Sequence, residues 1–155
     1  MNTWNLGYKK AKVNAKTIYS KIGRIPCPAL DNEYIAFTNA GFNHLVRKGR
    51  IPRTRNEQKR RFALIPFLEQ IIKNPKAILL YRRSEVKEII NRHGEQIIRK
   101  STANFWTFME KVDERMIKVV IRQIGTVGQK HFFSVMSDIV KTDIHRGYKI
   151  KKPSK

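Results

Sequence analysis

A single cysteine, few acidic residues and the lack of any long apolar run set the first limits on this chain of 155 residues. Cys27, standing alone between Pro26 and Pro28, excludes an intramolecular disulfide and any zinc cluster built from cysteines. Such thiol usage is expected of a cytoplasmic protein or of one delivered into a target cell. With no activating neighbour in sequence, Cys27 reads as a loop or half-buried cysteine rather than a reactive thiol. The twelve acids are scattered, and Asp113-Glu114 falls in what reads as a turn. Two-metal nucleases need clustered carboxylates, so metal-dependent cleavage is not expected and no metal ligands are nominated. A glycine-rich phosphate loop, a GxSxG elbow and an HExxH pair are all missing, which removes support for NTPase, α/β-hydrolase and zincin chemistry, and no cofactor is expected. No segment approaches the ~18 apolar residues of a membrane helix, and the N-terminus lacks a signal-like apolar stretch, so a membrane partner is not expected.

What the chain has in excess is positive charge. Thirty-three Lys and Arg give a formal net charge of +21. Self-repulsion of that size is tolerated most readily when a polyanion relieves it, which makes nucleic acid the leading partner. The 41% of hydrophobic residues is enough for one compact domain. Residues 1–30, with no acid before Asp31, read as a basic N-terminal arm that includes a short helix through Tyr8 to Tyr19. Residues 31–140 read as the folded domain, and 141–155 as a basic C-terminal tail.

Inside the domain, Glu33 to Phe37 is β-prone, and Thr38 is placed to cap a helix that begins near Asn39 and ends at Gly49. Thr54-Arg55-Asn56-Glu57 has capping-box spacing ahead of an amphipathic pattern that Pro66 should kink or split. After Asn74-Pro75, Ala77 to Tyr81 reads as a strand. Ser84 to Arg92 fits either a helix or one arm of a hairpin around Gly94. Asn104–Phe108, Met116–Gln123 and His131–Met136 then read as strands joined by short turns. The class expected is α+β, with N-terminal helices packed against an antiparallel meander of about four strands.

Two histidines stand among fixed cations. On the helix after Thr38, spacing places His44, Arg47 and Lys48 on one face, with Arg50 just beyond. Alternation along Met116–Gln123 sends Ile117, Val119 and Ile121 to one side, and Lys118, Val120 and Arg122 to the other. On the next strand, His131 and Ser134 fall on opposite faces unless a bulge intervenes, and Lys130 precedes them. Each feature also has a plain reading: a solvated basic face with an incidental His44, and a partly buried structural His131 at a strand start. His93 and His145 fit structural or tail positions. Tyr34, Trp106 and Phe133 can stack a base or simply pack.

The segments Tyr34-Ile35-Ala36-Phe37 through His44-Leu45-Val46-Arg47-Lys48-Gly49, Ile71-Ile72-Lys73-Asn74-Pro75, Ile117 to Arg122 and Lys130 to Val135 together resemble the phage-associated branch of the barnase, EndoU, colicin and RelE-like nucleases. The resemblance covers roughly Asp31 to Val140. It implies a metal-independent endoribonuclease, often a toxin, acting on an RNA such as tRNA or mRNA and held in check by an acidic antitoxin or immunity protein. It also implies that a helix histidine and polar residues of the late strands line the site, which maps to His44, Arg122 and Lys130 to Ser134.

The function expected is RNA cleavage by 2′-hydroxyl attack. His44 or His131 would act as base with a second group as acid, Arg122 and Ser134 would lie in the site, and Arg47, Lys48, Arg50, Lys118 and Lys130 would hold phosphates. The rivals are a non-catalytic RNA- or DNA-binding domain, in which every cation is a phosphate contact and no histidine is needed, and an interaction protein that neutralises an acidic partner.

Overall fold

The computed structural model describes residues 3–139. The expected C-terminal tail and His145 lie outside them. The class is α+β, as expected, but the sheet has six strands rather than about four, in the order β1-β2-β8-β7-β6-β5. These are β1 (Arg24–Cys27), β2 (Glu33–Ala36), β5 (Ile78–Arg92), β6 (Glu95–Val112), β7 (Arg115–Ile124) and β8 (His131–Ile139). A separate two-stranded ribbon pairs β3 (Arg47–Lys48) with β4 (Ile51–Pro52). The strands β5 to β8 form the expected antiparallel meander. The sheet as a whole is mixed, because β2 lies parallel to β8, in register at Ala36 and His131.

Of the strands, β1 was missed for one reason: residues 1–30 are not an arm outside the fold, and the helix expected through Tyr8 to Tyr19 is longer. They supply α1 (Thr3–Ile22) and β1. Ala15 and Tyr19 are buried, and the Tyr19 hydroxyl donates to the Thr38 carbonyl at 2.7 Å. Cys27 is fully buried in β1 rather than in a loop, and burial pushes its thiol pKa up, which keeps it inert. The basic residues of α1 masked an apolar stripe that is only one side wide.

Local signals placed the remaining helices well. The Thr38 hydroxyl accepts from the Gly41 amide and starts α2 (Asn39–Val46), and the Thr54 hydroxyl accepts from the Glu57 amide and starts α3 (Arg55–Phe62). Pro66 sits in a 3-10 turn, Ile65–Phe67, that separates α3 from α4 (Leu68–Lys73). The helix after Thr38 is shorter than expected, since it stops at Val46 and not at Gly49. Arg47 and Lys48 are therefore in β3 and do not share a helical face with His44. The segment Ser84 to Arg92 is strand, paired throughout with Glu95–Ala103 around the His93-Gly94 turn.

The core lies between the helices and one face of the sheet. Ile117, Val119 and Ile121 of β7, Phe108 of β6, and Phe132 and Val135 of β8 meet Phe42, Leu45, Phe62, Leu68, Ile71 and Ile72. Aromatic contacts link α1 to β8 and α2 to α3 there: Tyr19 meets Phe132 at 5.7 Å between centroids, and Phe42 stacks on Phe62 at 5.7 Å. Beyond His131, β8 leaves β2, and α2 and α3 come up beside it. Gly41 makes this approach possible, because a Cβ there would stand 2.7 Å from the Phe132 carbonyl and 2.6 Å from the Tyr19 hydroxyl.

Candidate active site

A β-bulge builds the site. Arg122 pairs with His131 and Ile121 with Phe132, but Val120 pairs with Ser134, so Phe133 is an extra residue in β8. Arg122 and Val120 are two residues apart and point the same way, and the bulge therefore brings His131 and Ser134 onto that one face, opposite the core. The Arg122 guanidinium lies over the Phe133 ring at 4.5 Å, and the His44 ring meets the other partner of this cluster, Phe133, at 4.2 Å between centroids.

Helix α3 and its leading residues supply what the sequence reading left out. Arg53, Glu57 and Arg61 follow one another at intervals of four, a spacing that puts them on one helical side. Arg53 Nε donates to the His44 carbonyl at 3.1 Å and so fixes the end of α2. Glu57 Oε1 accepts from Arg53 at 3.0 Å and from Arg61 at 3.2 Å. Arg61 also donates to the Ser134 hydroxyl at 3.0 Å and to the Val135 carbonyl at 2.9 Å. Ser134 is thus a buried acceptor that orients Arg61. The alternation of cation, acid and cation at four-residue spacing was visible in the sequence, but it reads equally well as a solvated helix face.

One carboxylate therefore holds two guanidiniums, and the cluster keeps a positive excess. Burial, followed by the charges of Arg53, Arg61, Arg122 and Lys48, pushes the His44 imidazole from 6.5 down to about 4. His44 is a neutral base near pH 7. Burial would raise the Glu57 carboxyl, but the hydrogen bonds and charges of Arg61 and Arg53 prevail and hold it below the usual range. Buried side-chain atoms in the cluster without a hydrogen-bond partner are His44 Nδ1 and Arg61 Nε.

His131 is bound differently. Its Nε2 accepts from Arg122 Nε at 3.1 Å, and its Nδ1 lies 3.3 Å from the Gln129 carbonyl. Both contacts are satisfied together only by the neutral ring with its proton on Nδ1. Burial lowers its pKa, the Gln129 carbonyl opposes this, and the Arg122 charge adds to the lowering. His131 thus aims Arg122.

The other expected phosphate ligands do not gather here. Lys118 pairs with Asp138 at 2.8 Å, and Lys130 pairs with Glu33 and lies over the Trp106 ring at 5.1 Å. Arg47 and Arg50 are exposed on the β3–β4 ribbon, where only Lys48 acts on His44 through its charge. Among the described residues, no group of three or more His, Cys, Asp or Glu side chains comes together, and no helix is long and apolar enough to cross a membrane. Comparison with known proteins finds no matching family model, no matching curated protein and no matching solved structure.

Proposed function

We propose that this chain is a metal-independent endoribonuclease in which His44 is the general base. The observation that carries the reading is a half-buried, neutral imidazole ringed by four cations, two of which share the carboxylate of Glu57. A phosphate diester entering this field is attracted by the cations. Its negative charge also raises the affinity of His44 for a proton at the moment one is to be transferred.

In the step proposed, His44 takes the proton of a ribose 2′-hydroxyl, whose oxygen bonds to the adjacent phosphorus as the bond from phosphorus to the 5′-oxygen breaks. The leaving 5′-oxygen takes a proton from water or from the Lys48 ammonium. The products are a 2′,3′-cyclic phosphate and a 5′-hydroxyl. Arg122 and Arg61 stabilise charge on the phosphoryl oxygens, a role that guanidiniums held in place by His131, Ser134 and Glu57 fill without reorganising. This assigns the two histidines unequal roles, base for His44 and positioning residue for His131. An acidic antitoxin or immunity protein would act by covering the same field.

A specific observation keeps nucleic-acid binding without cleavage as the second reading: His131 has both nitrogens engaged, so only one histidine is placed as a proton acceptor. Incubation of the purified chain with total RNA in EDTA separates the two. Cleavage that disappears in His44→Ala is the expected result. Intact RNA, retained by the protein and released by salt, would establish binding alone.

A further inference from the structure

The face of the sheet that carries the site has a register row crossing all six strands, with an arginine on three of them. Following the pairing strand by strand, Arg24 of β1 is in register with Ala36 of β2, Ala36 with His131 of β8, His131 with Arg122 of β7, Arg122 with Phe105 of β6, and Phe105 with Arg82 of β5. Residues in one register row project to the same side of a sheet. Three arginines, a histidine, a phenylalanine and an alanine therefore form a single line at right angles to the strands. With strands about 4.8 Å apart, the line is about 24 Å long.

Each of the three arginines lies on an aromatic ring. Arg24 is 5.1 Å from the centre of Tyr34, Arg122 is 4.5 Å from Phe133, and Arg82 is 4.7 Å from Phe105. The three stacks fall on successive strand pairs, β1 with β2, β8 with β7, and β6 with β5. Arg24, Arg82 and Tyr34 are exposed. The Tyr34 end opens into a depression also lined by Arg24, Gly128 and Gln129, beside the Glu33–Lys130 ion pair.

We infer that this row is a track for single-stranded RNA, with a stacking platform on either side of the His44–Arg122 cluster. A guanidinium held over an aromatic ring offers a planar cation on which a base can stack, and such platforms tolerate any base. The arginines stand on the first, fourth and sixth strands of the sheet, about 14 and 10 Å apart, so that each can meet a different phosphate of one extended strand, and the cleavage site lies at the middle stack. A paired base has its faces covered by its neighbours and cannot use the platforms, so the track selects unpaired RNA. The inference rests on the proposed cleavage for its central subsite only; Arg24, Tyr34 and Arg82 lie outside the reacting groups and are assigned here as binding residues, with the buried Phe105 as the support beneath Arg82.

Binding, read without cleavage, tests the track separately from the reaction. Fluorescently labelled oligonucleotides of 2 to 12 nucleotides, 2′-O-methylated so that no attack is possible, are titrated against the full chain at fixed salt. Affinity should rise with length and then level off, and a duplex of the same sequence should bind more weakly than the single strand. Tyr34→Ala and Arg82→Gln should each weaken binding of the longest oligonucleotide by about 5- to 150-fold, the worth of one stacked base, and the loss should shrink as the ligand shortens. Arg24→Gln should act in the same direction. Lys73→Ala, which removes one exposed charge from the end of α4, where it pairs with Glu69 and is not a member of the row, is the control. Losses no larger than that of Lys73→Ala, or tighter binding of duplex than of single strand, would overturn the track even if His44 proves catalytic. Length-dependent binding by a chain that cleaves nothing would uphold the track and overturn the proposed reaction.

Discussion

Phe132 and Phe133 are neighbours in β8 with opposite surroundings, and the contrast between them describes the two faces of the sheet. Phe132 is fully buried among Tyr19, Phe37 and the aliphatic side chains of β7. Phe133, displaced by the bulge, is half-buried and in contact with the His44 ring, the Arg122 guanidinium and, in a T-shaped pair, Phe105. One face is therefore held by apolar packing, which needs only shape and volume. The other holds charged groups close together, and specific partners hold them in place, such as Glu57 for Arg61 and His131 for Arg122. The lesson is that the core face carries the fold, and the opposite face gathers the charged groups to which the proposed chemistry is assigned.

The largest separation of the two faces should come from His44→Ala. Its rate of RNA cleavage is expected to fall by about 10² to 10⁴, the range for loss of one proton-transfer group. Its thermal stability should hold, since the substitution removes an imidazole that lacks a partner at Nδ1. Chemical denaturation and cleavage assays on the same preparation check both halves. Phe132→Ala should do the reverse, destabilising the fold by about 3–5 kcal/mol through the cavity it leaves. Any folded fraction should retain its rate per molecule, measurable by single-turnover cleavage well below the melting temperature.

A smaller effect is expected from His131. His131→Ala frees Arg122 without removing a reacting group, so cleavage should drop by about tenfold, with the acid side of its kcat/KM profile unchanged. The acid side belongs to His44 and should fall near pH 4 in the wild-type protein. A limb that moves when His131 is replaced would give His131 the role of base.

The mildest effect expected is on stability as pH falls. The folded values of His44 and His131 lie below the ordinary 6.5, so the unfolded chain binds the extra protons first. For His44 the window runs from about 6.5 down to about 4, and across it stability should decline. Glu57 acts in the same direction at lower pH, because a carboxyl held below its usual value contributes stability that is lost as it protonates. Denaturation midpoints for the wild type and His44→Asn between pH 7 and 4 should converge as the pH rises and separate as it falls.

The core face was largely legible in the sequence. Alternation gave Ile117, Val119 and Ile121 their common side, Thr38 and Thr54 marked two helix starts, and Pro66 marked a break. These are local signals, each carried by a few adjacent residues. The site face depended on long-range register. His44 and Arg122 were identified by residue type, but their meeting at Phe133 follows from a one-residue bulge that the sequence expresses only as a conditional. Arg53, Glu57 and Arg61 were missed because a helical ladder of charges looks the same facing water or facing a strand. The row from Arg24 to Arg82 was out of reach for a stronger reason: it joins six strands whose order includes the parallel contact between β2 and β8. Charge concentrated in residues 1–30 also hid β1 and the packing of α1 on the core, since the buried positions Ala15, Tyr19, Ile25 and Cys27 are spread among basic ones.

The central claim is that His44 drives attack by a ribose 2′-hydroxyl, and the most direct measurement is of the ends it leaves. A short single-stranded RNA is incubated with the protein in EDTA, alongside the same strand with one 2′-deoxy nucleotide at the cleaved position, and the products are weighed by mass spectrometry. The account requires a 2′,3′-cyclic phosphate or its 3′-phosphate with a 5′-hydroxyl, loss of cleavage at the deoxy position, and loss of both products in His44→Ala. Ends with a 3′-hydroxyl, or undiminished cleavage at the deoxy nucleotide, would contradict it.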